Sequence, residues 1–375
     1  MTGFVFRGGR VLADGGEQDG CAFTVADGRI AAFHADRDAQ AIDLDGGWLV
    51  PGFVDTQVNG GGGVLFNDAP TPATIATIGA AHARYGTTAF LPTLISDRLD
   101  VVAAALDAVD AAIEAGVPGV IGIHVEGPFL SPDRKGIHDP VHFRALDDDA
   151  LALLTRPRRG VVMVTLAPER NPAGAIETLT AAGVIVSIGH SDATYAQARA
   201  AIDAGARGVT HLYNAMSPLR HREPGVVGAV LEDRTVYAGL IVDGAHLHPA
   251  AIRIALAARP IDRFMLVTDA MPSVGAASKD FVLNGQPIRV ENGVCVGADG
   301  TLAGCDLDMA QAVANLHDLG VAMHDAVAMA SANPAAFLRL SHRIGTLSVG
   351  NQADFVWLDA ALRVRGTWIG GVRIV

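Results

Sequence analysis

At 375 residues, half of them hydrophobic and 43 of them glycine, the chain can bury a large core and is expected to form a soluble globular enzyme, either one large barrel or a large domain with a small one. Its net charge of -12 argues against nucleic acid as a partner, because phosphate backbones need a basic surface, and no apolar run approaches the length of a membrane span. Three cysteines, Cys21, Cys295 and Cys305, are too few and too oddly spaced for a disulfide framework or a cysteine-rich zinc site.

Residues 1–50 hold short alternating runs separated by Asp/Gly turns such as Asp27-Gly28, the pattern of a small antiparallel sheet. The first residues lack the apolar centre of a signal peptide, so a cytoplasmic location is expected. Residues 343–375 read the same way as residues 1–50. Neither piece can bury its apolar face alone, which pairs the two ends into one small β-sandwich domain.

Between them, over residues 51–342, strand-like runs alternate with alanine-rich helical stretches. Eight such runs fall at 52–58, 87–93, 119–126, 161–166, 184–190, 208–211, 236–243 and 264–269, with helices at 71–85, 99–115 and 194–204. Six of the runs end in or near a polar group, namely Gln57, Glu126, His190, His211, Asp243 and Asp269. A doubly wound open sheet could hold the same units, but it would gather a ligand at one switch point. Polar ends spread over so many strands favour an α/β fold of the (β/α)8 barrel type, where catalytic groups sit at the C-terminal strand ends. Turns at Asn284-Gly285 and Asn292-Gly293 mark an inserted β-hairpin near 280–299, and helices near 307–319 and 325–332 complete the barrel.

The strand ends suggest chemistry. Glu126, His190 and His211 offer a carboxylate and two imidazoles, a set suited to a divalent ion such as zinc. Asp269, ending the eighth run, is placed to move a proton to and from an attacking water. Bland readings stand beside these. Each histidine is as readily a core histidine, and Asp269 could cap the following helix. Glu126 is harder to explain away, since a lone Glu at the end of an apolar strand is seldom buried without a partner. The loop Asn59-Gly60-Gly61-Gly62-Gly63 lacks the Lys-Ser/Thr of a phosphate loop and reads as a turn needing positive φ. His138 and His246 fall on loops of the same face. The cluster Arg220, His221 and Arg222 is either a solvated loop or an anion clamp.

Taken in order, eight motifs resemble one family, the N-acetylglucosamine-6-phosphate deacetylases of the amidohydrolase superfamily. They are Pro51-Gly52-Phe53-Val54-Asp55, His124-Val125-Glu126-Gly127-Pro128-Phe129, Lys135-Gly136-Ile137-His138, Gly189-His190-Ser191-Asp192-Ala193-Thr194, Thr210-His211-Leu212-Tyr213-Asn214-Ala215-Met216, Arg222-Glu223-Pro224-Gly225, Asp243-Gly244-Ala245-His246 and Val267-Thr268-Asp269-Ala270. The resemblance implies that Glu126, His190 and His211 bind the metal and that Asp269 activates water and protonates the departing amine. It also implies that His138 polarises the acetamide carbonyl, while Asn214, the Ala215 backbone, Arg222 and His246 hold the sugar phosphate. In such enzymes the arginine reaches in from a neighbouring subunit, so a homodimer is implied, acting in amino-sugar catabolism or cell-wall recycling.

One departure carries weight. Many amidohydrolases have His-X-His at the end of the first strand, holding a second metal, whereas this chain has Gln57-Val58-Asn59. Amides are poor zinc ligands beside imidazole, so one ion per subunit is expected. The competing readings are an amidohydrolase for another N-acetyl sugar or a cyclic amide, and a non-catalytic scaffold that keeps the barrel.

Overall fold

Side-chain alternation along eight parallel strands builds the interior of the molecule in layers. The computed structural model describes residues 2–13, 16–34 and 38–375. The strands are Phe53–Val58, Thr87–Ile95, Gly122–Glu126, Val161–Leu166, Ile185–Ile188, Gly208–Val209, Tyr237–Leu240 and Phe264–Leu266, each hydrogen-bonded to the next. A parallel bridge from Val58 to Ala270 joins the first strand to the segment after the eighth, closing the barrel expected from the sequence.

Several strands are shorter than the runs that announced them. The sixth run, 208–211, yields only Gly208–Val209, and the fifth stops at Ile188. His190, His211 and Asp269 adopt φ of 47°, 33° and 50°, outside the strand region, so the chain leaves the ladder where the polar groups begin.

The floor of the barrel is apolar, made by Val54, Leu91, Met163, Ile185 and Met265 and closed by Phe337. Above it lies a polar layer. His124 sits 3.2 Å from Thr93 Oγ1 and 2.7 Å from Thr165 Oγ1, and Thr165, Thr210 and Ser187 continue the chain at 2.7 Å per step. The next inward-facing position on the third strand is Glu126.

Helix starts follow their capping residues. The Thr71 side chain accepts from the Thr74 N–H ahead of Pro72–Ala83, and Thr194 with Gln197 forms a capping box on Tyr195–Asp203. Asp308 caps Met309–Asp318 in the same way.

Both chain ends enter one sheet. The long strand Thr2–Ala13 pairs along its length with Gly16–Ala26, and on its other edge first with Gln40–Asp43 and then with Trp48–Pro51, which carries the C-terminal strands Phe355–Leu358 and Val364–Ile369. Phe23 meets Phe355 at 5.3 Å between ring centroids although two strands separate theirs in the sheet. A flat sheet would hold them about 14 Å apart at ~4.8 Å per strand. The sheet therefore rolls over on itself around Phe4, Phe6, Phe23, Phe355 and Trp368, bringing two faces together.

The insertion after the eighth strand is larger than the hairpin read at 280–299. Four antiparallel strands, Phe281–Leu283, Gln286–Glu291, Val294–Val296 and Leu302–Cys305, run back to the barrel mouth, where Cys305 bridges Ala270. Asn284-Gly285 and Asn292-Gly293 make the expected turns, both residues of each having positive φ. The turn into the fourth strand falls at Asp299-Gly300, where Gly300 has positive φ and its N–H donates to the Gly297 carbonyl at 3.0 Å. Among the described residues no helix is long and apolar enough to cross a membrane.

Candidate active site

At the C-terminal mouth a cavity of about 460 Å³ is lined by Asn59, Glu126, His138, His190, His211, Asn214, Ala215, His246 and Asp269, with loop residues 132–137 and Thr301, Leu302 and Gly304 of the insertion. Nine of the residues singled out from sequence thus share one cavity. Gln57 lies just beneath it, and Arg222 does not line it. Arg220, His221 and Arg222 are all exposed on a loop.

Backbone strain marks the same place. His190, His211, Tyr213, Ala215 and Asp269 all have positive φ, a conformation non-glycine residues adopt at a cost of order 1–3 kcal/mol and keep where surrounding structure over-determines it.

Three donor atoms converge at the centre. His211 Nε2 lies 3.1 Å from both Glu126 Oε1 and His190 Nε2, and His190 Nε2 lies 3.3 Å from Glu126 Oε1. Ligands about 2.0–2.1 Å from a tetrahedral ion are roughly 3.3 Å apart, so the triangle has the size of one face of such a shell. The tautomers agree. Nδ1 of His190 donates to the Arg134 carbonyl at 2.8 Å and Nδ1 of His211 to the Asn214 carbonyl at 3.2 Å, which leaves both Nε2 lone pairs aimed inward. Two lone pairs and a carboxylate oxygen so close repel one another unless positive charge sits among them.

The titration behaviour carries the same message. Burial raises the cost of charge on Glu126, yet with an added proton on the facing Nε2 atoms, hydrogen bonds from His190 and His211 hold it well below the usual carboxylate range, the proton standing where a cation would. Burial also opposes a charged His211, but the hydrogen bond and charge of Glu126 outweigh it and raise that imidazole. The site favours an added positive charge, and the donor set fits a divalent cation.

His138 is also near enough to be counted with Glu126 and His190 as a possible metal group. Its hydrogen bonds argue otherwise. The Ser96 N–H donates to His138 Nδ1 at 3.2 Å, and a backbone amide can only donate, so the neutral ring carries its proton on Nε2. Burial keeps the ring neutral by pushing its pKa well below the ordinary value. His138 therefore offers a hydrogen bond rather than a lone pair.

Asp269 accepts from Asn59 Nδ2 at 2.7 Å and from Gln57 Nε2 at 3.1 Å, and the same Gln57 amide also reaches both oxygens of Glu126 at 3.0 and 3.2 Å. Gln57 thus fills the space between two carboxylates with N–H donors, where a bridging cation would otherwise sit. Burial, then the charge of Glu126, raise Asp269 to about 6, within reach of proton transfer near neutrality.

Sequence reading missed the supports of this arrangement. Asp55, fully buried, accepts from the Gln57 N–H at 3.1 Å and the Thr268 hydroxyl at 2.5 Å, tying the first strand to the residue before Asp269. Ser96, which sets the His138 tautomer through its backbone N–H, also went unmarked. Lys135 lines the cavity, while Arg134 is engaged with Asp192 at 2.7 Å.

The chain resembles known proteins over nearly its whole length. The model of the Amidohydrolase family matches residues 48–374. An N-acetylgalactosamine-6-phosphate deacetylase of Shewanella sp. (strain ANA-3) is 43% identical over 97% of this chain and 94% of its own. An N-acetylglucosamine-6-phosphate deacetylase of Danio rerio is 38% identical over 89% of this chain and 86% of its own. Among solved structures, N-acetylglucosamine-6-phosphate deacetylase from Pasteurella multocida superimposes with a TM-score of 0.94 at 33% identity, covering 98% of each chain. A mutant of the Mycobacterium smegmatis enzyme in complex with N-acetyl-D-glucosamine-6-phosphate gives 0.90 at 35% identity, over 100% of this chain and 99% of that one.

Proposed function

The chain belongs to the amidohydrolase family, and from that premise we propose that it hydrolyses N-acetylglucosamine 6-phosphate to glucosamine 6-phosphate and acetate. The observation that carries this reading is the convergence of Glu126, His190 and His211 beside Asp269 and the Nε2–H of His138 in one cavity. In this reading one divalent ion, zinc, is held by Glu126, His190 and His211, whose Nε2 lone pairs are already turned inward. When bound there, such an ion lowers the pKa of water and polarises the acyl oxygen.

The chain's own groups do the rest. Asp269 takes a proton from the attacking water and delivers it to the sugar nitrogen as the C–N bond breaks, so amide and water become amine and acetate. His138 donates from Nε2 to the acetamide oxygen as negative charge builds on it. Asn214, the Ala215 backbone and His246 orient the sugar, and Arg222 binds the phosphate of a neighbouring subunit's substrate, which accounts for its position outside the cavity of its own chain. Gln57 and Asn59 stand where a second ion would be held. A sugar phosphate does not cross a bilayer unaided, which fits a cytoplasmic enzyme of amino-sugar catabolism or cell-wall recycling.

A second reading, favoured by the Shewanella relative, is the 4-epimer, N-acetylgalactosamine 6-phosphate. The test is acetate release from both epimers, each with and without the 6-phosphate, using chelated and metal-reloaded protein. Turnover of N-acetylglucosamine 6-phosphate confined to loaded protein supports the proposal, and turnover of the phosphorylated 4-epimer alone supports the second reading. Equal turnover of the unphosphorylated sugars overturns the phosphate assignment.

A further inference from the structure

A second group of donors lies at the wall of the same cavity; His246 belongs to it through Nδ1, and Asp243 and Cys305 have no part in the reaction above. Asp243, three residues past the strand Tyr237–Leu240, accepts at Oδ2 from His246 Nδ1 at 2.7 Å, and Cys305 Sγ lies 3.3 Å from that oxygen and 3.4 Å from the same nitrogen. The Asp243 and His246 side chains are each 5% exposed and Cys305 is fully buried. All three are held from behind. Asp243 Oδ1 takes the N–H groups of Ala245 and His246 at 2.9 and 2.8 Å, and Cys305 is pinned by its N–H to the Asp269 carbonyl and its carbonyl to the Met271 N–H, both 3.0 Å.

We propose that Asp243, His246 and Cys305 form a second cation site, selective for a thiophilic divalent ion such as zinc, which fills in metal excess and inhibits the enzyme. The chemistry of the three donors, one sulfur, one nitrogen and one oxygen, is that of a zinc shell with a fourth position open to water. Around a tetrahedral zinc, sulfur stands roughly 3.6 Å from a nitrogen or oxygen ligand, and nitrogen roughly 3.4 Å from oxygen. The two sulfur distances are within about 0.3 Å of that, while Asp243 and His246 must part by about 0.7 Å. Access is through the cavity, since His246 and Gly304 line it.

A nucleophilic cysteine does not explain the cluster. Burial and the adjacent Asp243 carboxylate push the thiol well above its ordinary range, so without a cation it stays protonated and unreactive. A cation reverses the sign of that repulsion, because it is attracted by both groups. On binding, the thiol proton leaves to solvent and the His246 proton moves from Nδ1 to Nε2, so one proton is released per ion. That release, and the broken hydrogen bond between Asp243 and His246, make this site weaker than the one at Glu126, where the lone pairs already face inward. Inhibition follows because His246 is a wall of the substrate cavity and its free nitrogen changes from acceptor to donor.

The test uses protein carrying one tightly bound ion, in a Cys21→Ser background that removes the partly exposed thiol. Added Co(II) is expected to give a thiolate-to-cobalt charge-transfer band with proton release, and added zinc to inhibit. Cys305→Ser should lose the band and need about tenfold or more zinc for the same inhibition, with the tight ion and basal turnover unchanged. Asp243→Asn, which keeps the thiol, should weaken the band at a given cobalt concentration. A native protein with no band, or variants with an unaltered band and zinc response, would overturn the site. The absorption readout is independent of the substrate assignment, so its failure is distinguishable from failure of the proposed reaction.

Discussion

The Ser96 N–H donates to Nδ1 of His138 at 3.2 Å, with the Ser96 hydroxyl 2.8 Å from the same nitrogen, and this pair decides what His138 can do. A ring protonated at Nε2 stabilises a developing oxyanion and does not ligate a cation through that atom. His138→Ala is expected to lower kcat by about 100- to 1000-fold, the usual cost of one such donor, while metal content stays unchanged. Loss of the ion in that variant would move His138 into the ligand set with Glu126 and His190.

Asp269→Asn should reduce kcat by at least about 1000-fold with little change in metal content or substrate affinity, because the amide keeps an oxygen to accept from Asn59 but cannot shuttle a proton. The working form is the carboxylate, so activity falls as pH drops through its pKa. Burial and Glu126 raise that pKa to about 6, and a cation nearby lowers it, so the acidic limb of kcat/KM should lie at or below pH 6. Appreciable activity in the variant would remove Asp269 from this role.

Gln57 donates to both Glu126 and Asp269, which predicts one tightly held ion per chain after dialysis. Replacing the amides with ligands, as Gln57→His with Asn59→His, should add a second. Elemental analysis checks both, and two tight ions in the native protein would contradict the argument. The weaker site at Cys305 is expected to empty on dialysis.

Arg222 is exposed and does not line the cavity of its own chain. If it serves a neighbour, Arg222→Ala should raise KM about tenfold or more for the phosphorylated sugar and leave the unphosphorylated sugar unaffected. Mixed dimers of Arg222→Ala and Asp269→Asn chains should then regain native KM, because the site with intact Asp269 receives an intact arginine. Kinetics of the co-refolded mixture check this, and no recovery would place the arginine elsewhere.

The barrel was legible because its strands end on side chains that an apolar run does not otherwise carry, and Glu126, His190, His211 and Asp269 do converge. Their supports were not. Ser96 acts partly through its backbone N–H, which residue identity does not reveal, and Asp55 meets Thr268 across 213 positions of sequence. Cys305 reaches His246 from the fourth strand of the insertion, beyond the two-stranded hairpin expected near 280–299. Strand ends were overrun by two or three residues, since the positive φ of His190 and His211 is imposed by the site rather than by local propensity.

Asp354 shows how burial stores a pH dependence away from the site. Its carboxylate accepts from the Gly370 N–H at 2.7 Å but has no cationic partner within ion-pair distance among the described residues, and burial raises it from 3.8 to about 6. Because the folded pKa is the higher one, the unfolded chain gives up its proton first as pH rises. Stability from this residue is therefore greatest below about pH 4, declines between pH 4 and 6, and stays low above that. A rise from 3.8 to about 6 corresponds to ~3 kcal/mol as an upper bound. Asp354→Asn does not titrate, so its stability relative to the native protein should rise by up to ~2.5 kcal/mol between pH 4 and pH 8. Any constant cost of burying the new amide cancels in that difference. Denaturant unfolding at the two pH values measures it, and a difference that does not change with pH would show that solvent already reaches the Asp354 carboxylate.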